Sequence, residues 1–136
     1  MTKSNQPELS RVIDANLNRL REGIRVVEDI ERYIFNNKEL SSKLKELRHK
    51  VKTDNLEELL DSRDSQNDVL RPSMNDELKR KDLKSIIIAN YKRAQESSRV
   101  LEELFKLSSI QNSELFKNIR YELYTLEKSV LKLSTT

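Results

Sequence analysis

Two polar stripes of asparagine, arginine and glutamate are the most specific chemical signal in this chain. Within each stripe the residues are three apart, so on a helix they share one face. Arginine guanidinium groups match phosphate oxygens bidentately and carboxylates hold metal ions, so such a stripe can bind a phosphorylated ligand together with its metal. The two stripes are Asn16, Arg19 and Glu22, and Asn90, Arg93 and Glu96.

The stripes belong to an internal repeat that aligns residues 15–30 with residues 89–104. Gly23 and Ser97, small residues at equivalent positions, would let another backbone or a ligand come close to the helix. Four further charged residues of the repeat are expected on the polar side of their helices, at about 100° per residue. They are Arg25, Arg99, Glu28 and Glu102.

Two interpretations without a ligand remain open for the stripes. Arginine and glutamate three apart usually form a solvated ion-pair ladder worth about 0.2–0.5 kcal/mol per pair. Asn16 and Asn90, which fall within the apolar faces, could instead make a structural interhelical hydrogen bond. Exposed ladders have no reason to keep residue identity, so the repetition favours a ligand site, although gene duplication alone also leaves such a pattern.

The composition excludes several classes of site. The chain has no cysteine and one histidine, His49, so it cannot form a disulfide, a thiolate nucleophile or a Cys-type zinc site. Gly23 is the single glycine and cannot make a Walker loop or a dinucleotide fingerprint. No stretch approaches the length of a membrane span, and the polar start of the chain lacks the apolar segment of a signal peptide. We therefore expect a cytoplasmic protein with no membrane partner.

One glycine, two prolines and 36% charged residues in 136 indicate an all-α fold of long helices. Apolar residues at helical spacing predict a first helix from Pro7 to a break at Asn36-Asn37, and a second from about Glu39. Asp54 is expected to cap a continuation of the second helix.

The middle of the chain, residues 61–73, is irregular in pattern and predicts a loop. Residues 75–81 follow as a short predicted helix, and Asp82 is expected to cap a long helix that ends near Leu107. Ser113 is expected to open the last helix. The chain is thus predicted as one domain, residues 1–136. Two tandem helical hairpins, about residues 8–60 and 82–133, joined by a connection over 61–81, would form a helical bundle with a pseudo-two-fold internal repeat.

Four segments together carry a family resemblance. They are Asn16-x-x-Arg19-x-x-Glu22-Gly23-x-Arg25 within residues 11–29, Asn90-x-x-Arg93-x-x-Glu96-x-x-Arg99 within residues 90–103, Arg63-Asp64-x-x-x-Asp68-Val69, and Arg120-Tyr121 with Tyr124 and Glu127. In these segments the chain resembles the monofunctional hydroxymethylpyrimidine phosphate kinases of thiamine biosynthesis, which occur alone or fused N-terminally to thiamine-phosphate synthase. Two positions depart from the family pattern. Leu70 stands where glycine usually ends the loop motif, and Ser97-Ser98 where alanine and leucine are more usual.

The resemblance implies that ATP phosphorylates the pyrimidine monophosphate to the diphosphate, and that the free alcohol is not a substrate. The residues are compatible with this reaction. A phosphate monoester has a second pKa of about 6, so its oxygen is largely ionised at neutral pH and needs no strong general base. The step requires charge neutralisation, in-line positioning and Mg²⁺ on the donor phosphates. ATP and Mg²⁺ are the implied cofactors.

The resemblance also suggests roles for individual residues. The arginines are expected on phosphate groups: Arg19, Arg63 and Arg93, joined by Arg25 and Arg99. The carboxylates are expected to hold Mg²⁺ directly or through water: Glu22, Asp64, Asp68 and Glu96. Asn16 and Asn90 would read the aminopyrimidine edge or orient an arginine. One hairpin would hold the nucleotide and the other the pyrimidine phosphate, with the loop over 61–73 as a lid.

Other function classes remain as alternatives. Ile13-Asp14 on a charged helix is faintly similar to the all-helical chorismate mutases. A non-catalytic helical module that binds or regulates thiamine-phosphate synthase is a second alternative, and a homodimer is left open. A nucleic-acid partner is not expected, because acidic residues interleave with the basic ones and no aromatic-basic patch occurs. Four aromatic residues are expected in the core instead: Tyr33, Phe105, Phe116 and Tyr121.

Overall fold

Helices make up all the regular structure among the described residues, which confirms the all-α class. The structure, a computed structural model, describes residues 7–72 and 80–134. Within these ranges the elements are α1 (Pro7–Asp29) with a π-helical turn (Ile30–Ile34), α2 (Lys38–His49), α3 (Leu56–Ser62), α4 (Leu83–Phe105) and α5 (Ile110–Ser134). The short helix predicted over 75–81 falls almost entirely outside the described residues. No helix in the described ranges is both long enough and apolar enough to cross a membrane.

Local hydrogen bonds account for two boundaries that were predicted correctly. Asn36 adopts a positive φ of 53°, a conformation that asparagine tolerates better than most residues. Asn37 then caps α2, because its Oδ1 accepts a hydrogen bond from the Leu40 amide at 3.0 Å. Asp82 caps α4 in the same way, accepting from the Ser85 amide at 2.8 Å.

Two other predicted caps are wrong. The residue before α3 is Asn55, not Asp54. The last helix begins at Ile110 rather than at Ser113, because the Ser109 hydroxyl accepts a hydrogen bond from the Asn112 amide at 3.1 Å. Ser113 is buried and donates its hydroxyl to the Glu102 carbonyl at 2.8 Å, which ties α5 to α4.

The helices pack as two hairpins in two layers. α2 packs on α1, α5 packs on α4, and the long helices α1 and α4 pack against each other. α2 also meets α5, where Lys50 and Glu122 approach to 3.4 Å. Since α2 and α5 are neighbours, both lie on the same side of the α1–α4 pair, over a core that includes Leu20, Leu44 and Leu123. α3 also packs on α1. The side of the α1–α4 pair opposite α2 and α5 is here called the open face.

Gly23 marks the closest approach of α1 and α4. A Cβ at this position would lie 2.9 Å from the Asn90 carbonyl oxygen and 3.4 Å from the Ala94 Cβ. Lys50 reaches Glu122 of α5 at 3.4 Å, and the adjacent Val51 carbonyl accepts from Arg21, which precedes Gly23 in α1. Glu122 lies between the α5 residues that bond to Gln95 and Glu102, both of which follow Ala94 in α4. The two helices therefore run antiparallel, and the turn 19–22 of α1 lies level with the turn 93–96 of α4.

Substitution of Gly23 by alanine should destabilise the protein. The added methyl group meets a backbone carbonyl, and overpacking of this kind costs about 1–3 kcal/mol. This loss exceeds the ~1 kcal/mol that alanine gains over glycine in a helix interior. Urea unfolding measures the difference, with Ser97→Ala as the matched control, because that position already carries a Cβ. A Gly23→Ala protein as stable as the wild type would show that the helices separate without cost.

Each hairpin is closed by a buried glutamate–arginine pair. Arg48 of α2 donates to the two carboxylate oxygens of Glu28 at 2.6 and 3.1 Å, and Arg120 of α5 donates twice to Glu102 Oε1 at 3.2 and 3.0 Å. Glu28 and Glu102 were expected on the polar side, which is wrong: both are buried. The arginine of the second helix supplies the counter-charge that lets each carboxylate leave water.

The aromatic residues divide between core and surface. Phe105 and Phe116 stack in the core with ring centroids 5.6 Å apart, as expected. Tyr33 and Tyr121 were expected there too, but both are exposed. The Arg32 guanidinium lies over the Tyr33 ring, and Arg120 over the Tyr121 ring, each 4.9 Å from the centroid. A planar cation thus covers each ring in place of a neighbouring helix.

Candidate functional site

The charged residues of both stripes lie on the open face of the α1–α4 pair. All four are exposed: Arg19, Glu22, Arg93 and Glu96. Because the turns 19–22 and 93–96 are level with each other, the two arginines and two glutamates surround the middle of this face. The repeat therefore brings two copies of one charge pattern together at the crossing of two helices.

These four side chains have no partner in the part of the chain that the structure describes. Within the ranges 7–72 and 80–134, no hydrogen bond or ion pair joins any of them to another residue. Their repeated neighbours do pair: Arg25 lies 3.3 Å from Asp29, and Arg99 contacts Glu102 at 3.1 Å and Glu103 at 3.2 Å. An ion-pair ladder within the stripes is thus absent, and their charges are available to a ligand.

The two stripe asparagines make the same hydrogen bond. Asn16 Nδ2 donates to the Val12 carbonyl at 2.9 Å, and Asn90 Nδ2 donates to the Ile86 carbonyl at 2.8 Å, four residues earlier in each helix. The bond is within the helix, so the interhelical hydrogen bond considered from the sequence is not formed. It fixes the orientation of each amide, of which Asn16 is buried and Asn90 half-buried.

The loop after α3 lies over α1 and forms a cleft of about 520 Å³. The cleft joins two groups of predicted residues that are distant in sequence. From the stripe it includes Asn16 and Arg19, and from the loop it includes Arg63, Asp64 and Asp68. Guanidinium, amide and carboxylate groups thus line one cavity of the size that binds small molecules.

Asp14 and Arg11 hold this loop in place, a structural role that the sequence did not predict for either. Arg63 donates from Nε and Nη2 to the Asp14 carboxylate at 2.8 and 2.7 Å. Arg11 donates to the Asp64 carbonyl at 3.0 Å. The Asp64 carboxylate accepts from the Asn67 side chain at 2.7 Å, and this hydrogen bond lowers the pKa of Asp64. The sequence signal for this ion pair was Asp14 itself, because a carboxylate next to a core residue such as Ile13 requires a cationic partner.

The carboxylates expected to hold Mg²⁺ form two separate pairs. Asp64 and Asp68 line the loop cleft, while Glu22 and Glu96 lie on the open face. Among the described side chains, no group of three or more Asp, Glu or His residues forms a metal site. Mg²⁺ usually binds through one or two carboxylates together with substrate phosphates. Each pair thus has the carboxylates, but not the remaining ligands, of such a site.

A second cleft, of about 500 Å³, lies between α4 and α5. It includes Glu96 and Arg99 of the predicted residues, next to Lys92, Arg120 and Tyr124. Asn90 and Arg93 do not line it and belong to the open face. Arg25 lies on the surface of α1 in its pair with Asp29, away from the loop cleft.

Replacement of Asp14 by asparagine should release the loop. A charge-assisted bidentate pair with Arg63 becomes at most a weak neutral contact, so the loop opens more often. We expect trypsin to cut after Arg63 about tenfold faster, a modest factor because Arg63 is partly exposed. Asp61→Asn is the matched control, since this nearby exposed aspartate pairs with no residue in the described parts of the chain. Equal cleavage rates in all three proteins would contradict the anchoring role of Asp14.

Comparison with known proteins identifies the family. Residues 11–129 match the model of the ThiD2 family, which is most of the chain and includes both stripes, the loop and Arg120. The chain belongs to the ThiD2 family. This ThiD2 family member is also similar to longer proteins, and no solved structure shows significant similarity to it.

The longer relatives are thiamine-phosphate synthases. The chain is 36% identical over 132 residues to that of Synechocystis sp., covering 96% of this chain and 38% of the relative. It is 36% identical over 135 residues to that of Prochlorococcus marinus strain SARG, covering 98% and 39%, and 34% identical over 140 residues to that of Rhodopirellula baltica, covering 98% and 37%. The ThiD2 family member thus spans less than two fifths of the length of these relatives.

Proposed function

We propose that this protein acts in thiamine biosynthesis as a kinase that converts hydroxymethylpyrimidine monophosphate to the diphosphate with ATP. Membership of the ThiD2 family, the similarity to thiamine-phosphate synthases and the motif resemblance all support this pathway. The observation that carries the proposal is the open face itself. Two arginines and two carboxylates with no partner among the described residues, contributed by equivalent turns, are the groups that a transfer between two phosphates requires.

The proposed reaction needs little covalent chemistry from the protein. An oxygen of the acceptor phosphate bonds to the γ-phosphorus of ATP, and the bond from that phosphorus to the β–γ bridging oxygen breaks, leaving ADP. The acceptor oxygen is already ionised at neutral pH, so no histidine base is required. His49 is exposed near the end of α2, and it lines neither the loop cleft nor the α4–α5 cleft.

The side chains of the site would act by neutralising and positioning charge. Arg19 and Arg93, level with each other on the open face, would bind the two phosphate groups between which the transfer occurs. Asp64 and Asp68, next to Arg19 in the loop cleft, would hold Mg²⁺, which neutralises the donor phosphates. The Asn16 and Asn90 amide oxygens, oriented by their backbone bonds, would accept from amino groups of the bound rings.

A non-catalytic module that acts on thiamine-phosphate synthase is the second candidate. The observation in its favour is that the chain corresponds to only 38% of the synthase from Synechocystis sp.. A chorismate mutase has less support, because the two residues behind that resemblance have structural partners. Ile13 is in the core, and Asp14 holds Arg63.

Product analysis distinguishes these functions. The purified chain is incubated with Mg-ATP and the pyrimidine monophosphate, and the diphosphate is followed by anion-exchange chromatography and ³¹P NMR. Stoichiometric ADP and diphosphate support the kinase, and parallel reactions with the free alcohol and with chorismate should stay at background. If no diphosphate forms but the chain changes the rate of an added thiamine-phosphate synthase, the regulatory module is correct instead.

A further inference from the structure

The two halves of the repeat share the groups that would bind the features common to the two proposed substrates. Adenine and an aminopyrimidine share one edge, an amino group beside a ring nitrogen, and each substrate carries phosphate. Each half offers one oriented asparagine and one unpaired arginine: Asn16 with Arg19, and Asn90 with Arg93. An amide oxygen accepts from an amino group and a guanidinium binds phosphate, so each half has the groups to bind one aminated heterocyclic phosphate.

The halves differ in what surrounds these groups. In α1, Arg11 and Asp14 anchor the loop that brings Asp64 and Asp68 to the cleft. The positions of α4 that are equivalent to Arg11 and Asp14 in the repeat are Ser85 and Ile88. α4 therefore lacks the side chains with which α1 holds a carboxylate-bearing loop.

This difference matches a difference between the substrates. A nucleoside triphosphate binds as its Mg²⁺ complex and needs carboxylate oxygens near its phosphates, and its size suits a cleft of about 520 Å³. A monophosphate on a small methylated ring needs one cation and apolar surroundings. Next to Asn90, α4 presents the half-buried Ile86, Ile88 and Ala89.

We propose that the α1 cleft binds the Mg²⁺–nucleotide and that the α4 half of the open face binds the pyrimidine monophosphate. This assignment rests on the proposed kinase function. The donor would extend from Asn16 past Asp64 and Asp68 towards Arg19, and the acceptor from Asn90 towards Arg93. The two phosphates then meet where the turns 19–22 and 93–96 lie level.

The two asparagines provide a matched pair of variants. Asn16→Ala should raise KM for ATP about tenfold, the effect of one lost hydrogen bond, while KM for the pyrimidine monophosphate stays within about twofold. Asn90→Ala should do the reverse. Among the described residues, both amides bond only within their own helix, so circular dichroism should show both variants folded. The opposite pairing, or an increase in the same KM in both variants, would overturn the assignment.

Direct binding gives a second measurement that does not need turnover. Calorimetry with Mg-AMP-PNP and, separately, with the pyrimidine monophosphate is run on the wild type and on the Asp64→Asn, Asp68→Asn double variant. We expect the double variant to bind Mg-AMP-PNP at least tenfold more weakly and the pyrimidine monophosphate unchanged. Weaker binding of the pyrimidine monophosphate, or unchanged binding of Mg-AMP-PNP, would overturn the assignment. A different result would contradict the kinase function: the wild type binds both ligands, the double variant loses only Mg-AMP-PNP binding, and yet the wild type forms no diphosphate.

Discussion

Removal of either central arginine should lower kcat for diphosphate formation about 100- to 1000-fold, the usual effect of losing one donor to a developing negative charge. If each hairpin held one substrate, as the sequence predicted, Arg19→Ala and Arg93→Ala would raise KM for different substrates. The antiparallel register changes this expectation, because it places both guanidinium groups at the middle of the open face. Each would contact the transferring group, so both substitutions should reduce kcat. The residues that distinguish the two substrates are then Asn16 and Asn90, further from the middle of the face.

Initial rates with saturating Mg-ATP and pyrimidine monophosphate measure this effect. Arg32→Ala is the control, since Arg32 is exposed on the π-helical turn and lines neither the loop cleft nor the α4–α5 cleft. Arg19→Lys and Arg93→Lys should recover only part of the activity, because lysine keeps the charge but loses the bidentate geometry. Normal kcat in both alanine variants, with the control also normal, would remove the open face from the catalytic site.

The stripes and the all-α hairpins could be predicted from the sequence because both follow from local periodicity. Helical spacing places Asn16, Arg19 and Glu22 along one edge of an apolar face, and the repeat requires the same for α4. The position of the loop could not be predicted in this way. It depends on one long-range pair, Arg63 with Asp14, and no periodic pattern relates a loop residue to a helix that precedes it.

The failed prediction for Glu28 and Glu102 has the same physical origin. An angle of about 100° per residue assigns a glutamate to the polar side when its helix is considered alone. Whether the carboxylate stays in water depends on the partner helix, and here Arg48 and Arg120 reach it. The second helices of the two hairpins also align in sequence, Leu47-Arg48 with Ile119-Arg120, and this alignment was the available signal for a repeated pair.

Substitution of Arg48 by alanine should destabilise the protein by about 3–5 kcal/mol, the cost of leaving a buried charge without its partner. Glu28 is only 1% exposed and has no other cationic partner in the described parts of the chain. Arg120→Ala, the equivalent substitution in the second hairpin, should cost clearly less. Glu102 keeps a second arginine, Arg99, at 3.1 Å. The two hairpins thus contain equivalent ion pairs, but among the described residues only Glu102 has a second arginine beside it.

Urea unfolding of the two single variants measures this difference directly. The double variant Glu28→Leu, Arg48→Met should recover most of the stability lost in Arg48→Ala, because it removes the buried charge and fills the space with apolar groups. Recovery would show that the loss comes from the stranded carboxylate rather than from lost packing of the arginine stem. Equal destabilisation by Arg48→Ala and Arg120→Ala would mean instead that Arg99 gives Glu102 no support, and that the two hairpins are closed by equivalent pairs.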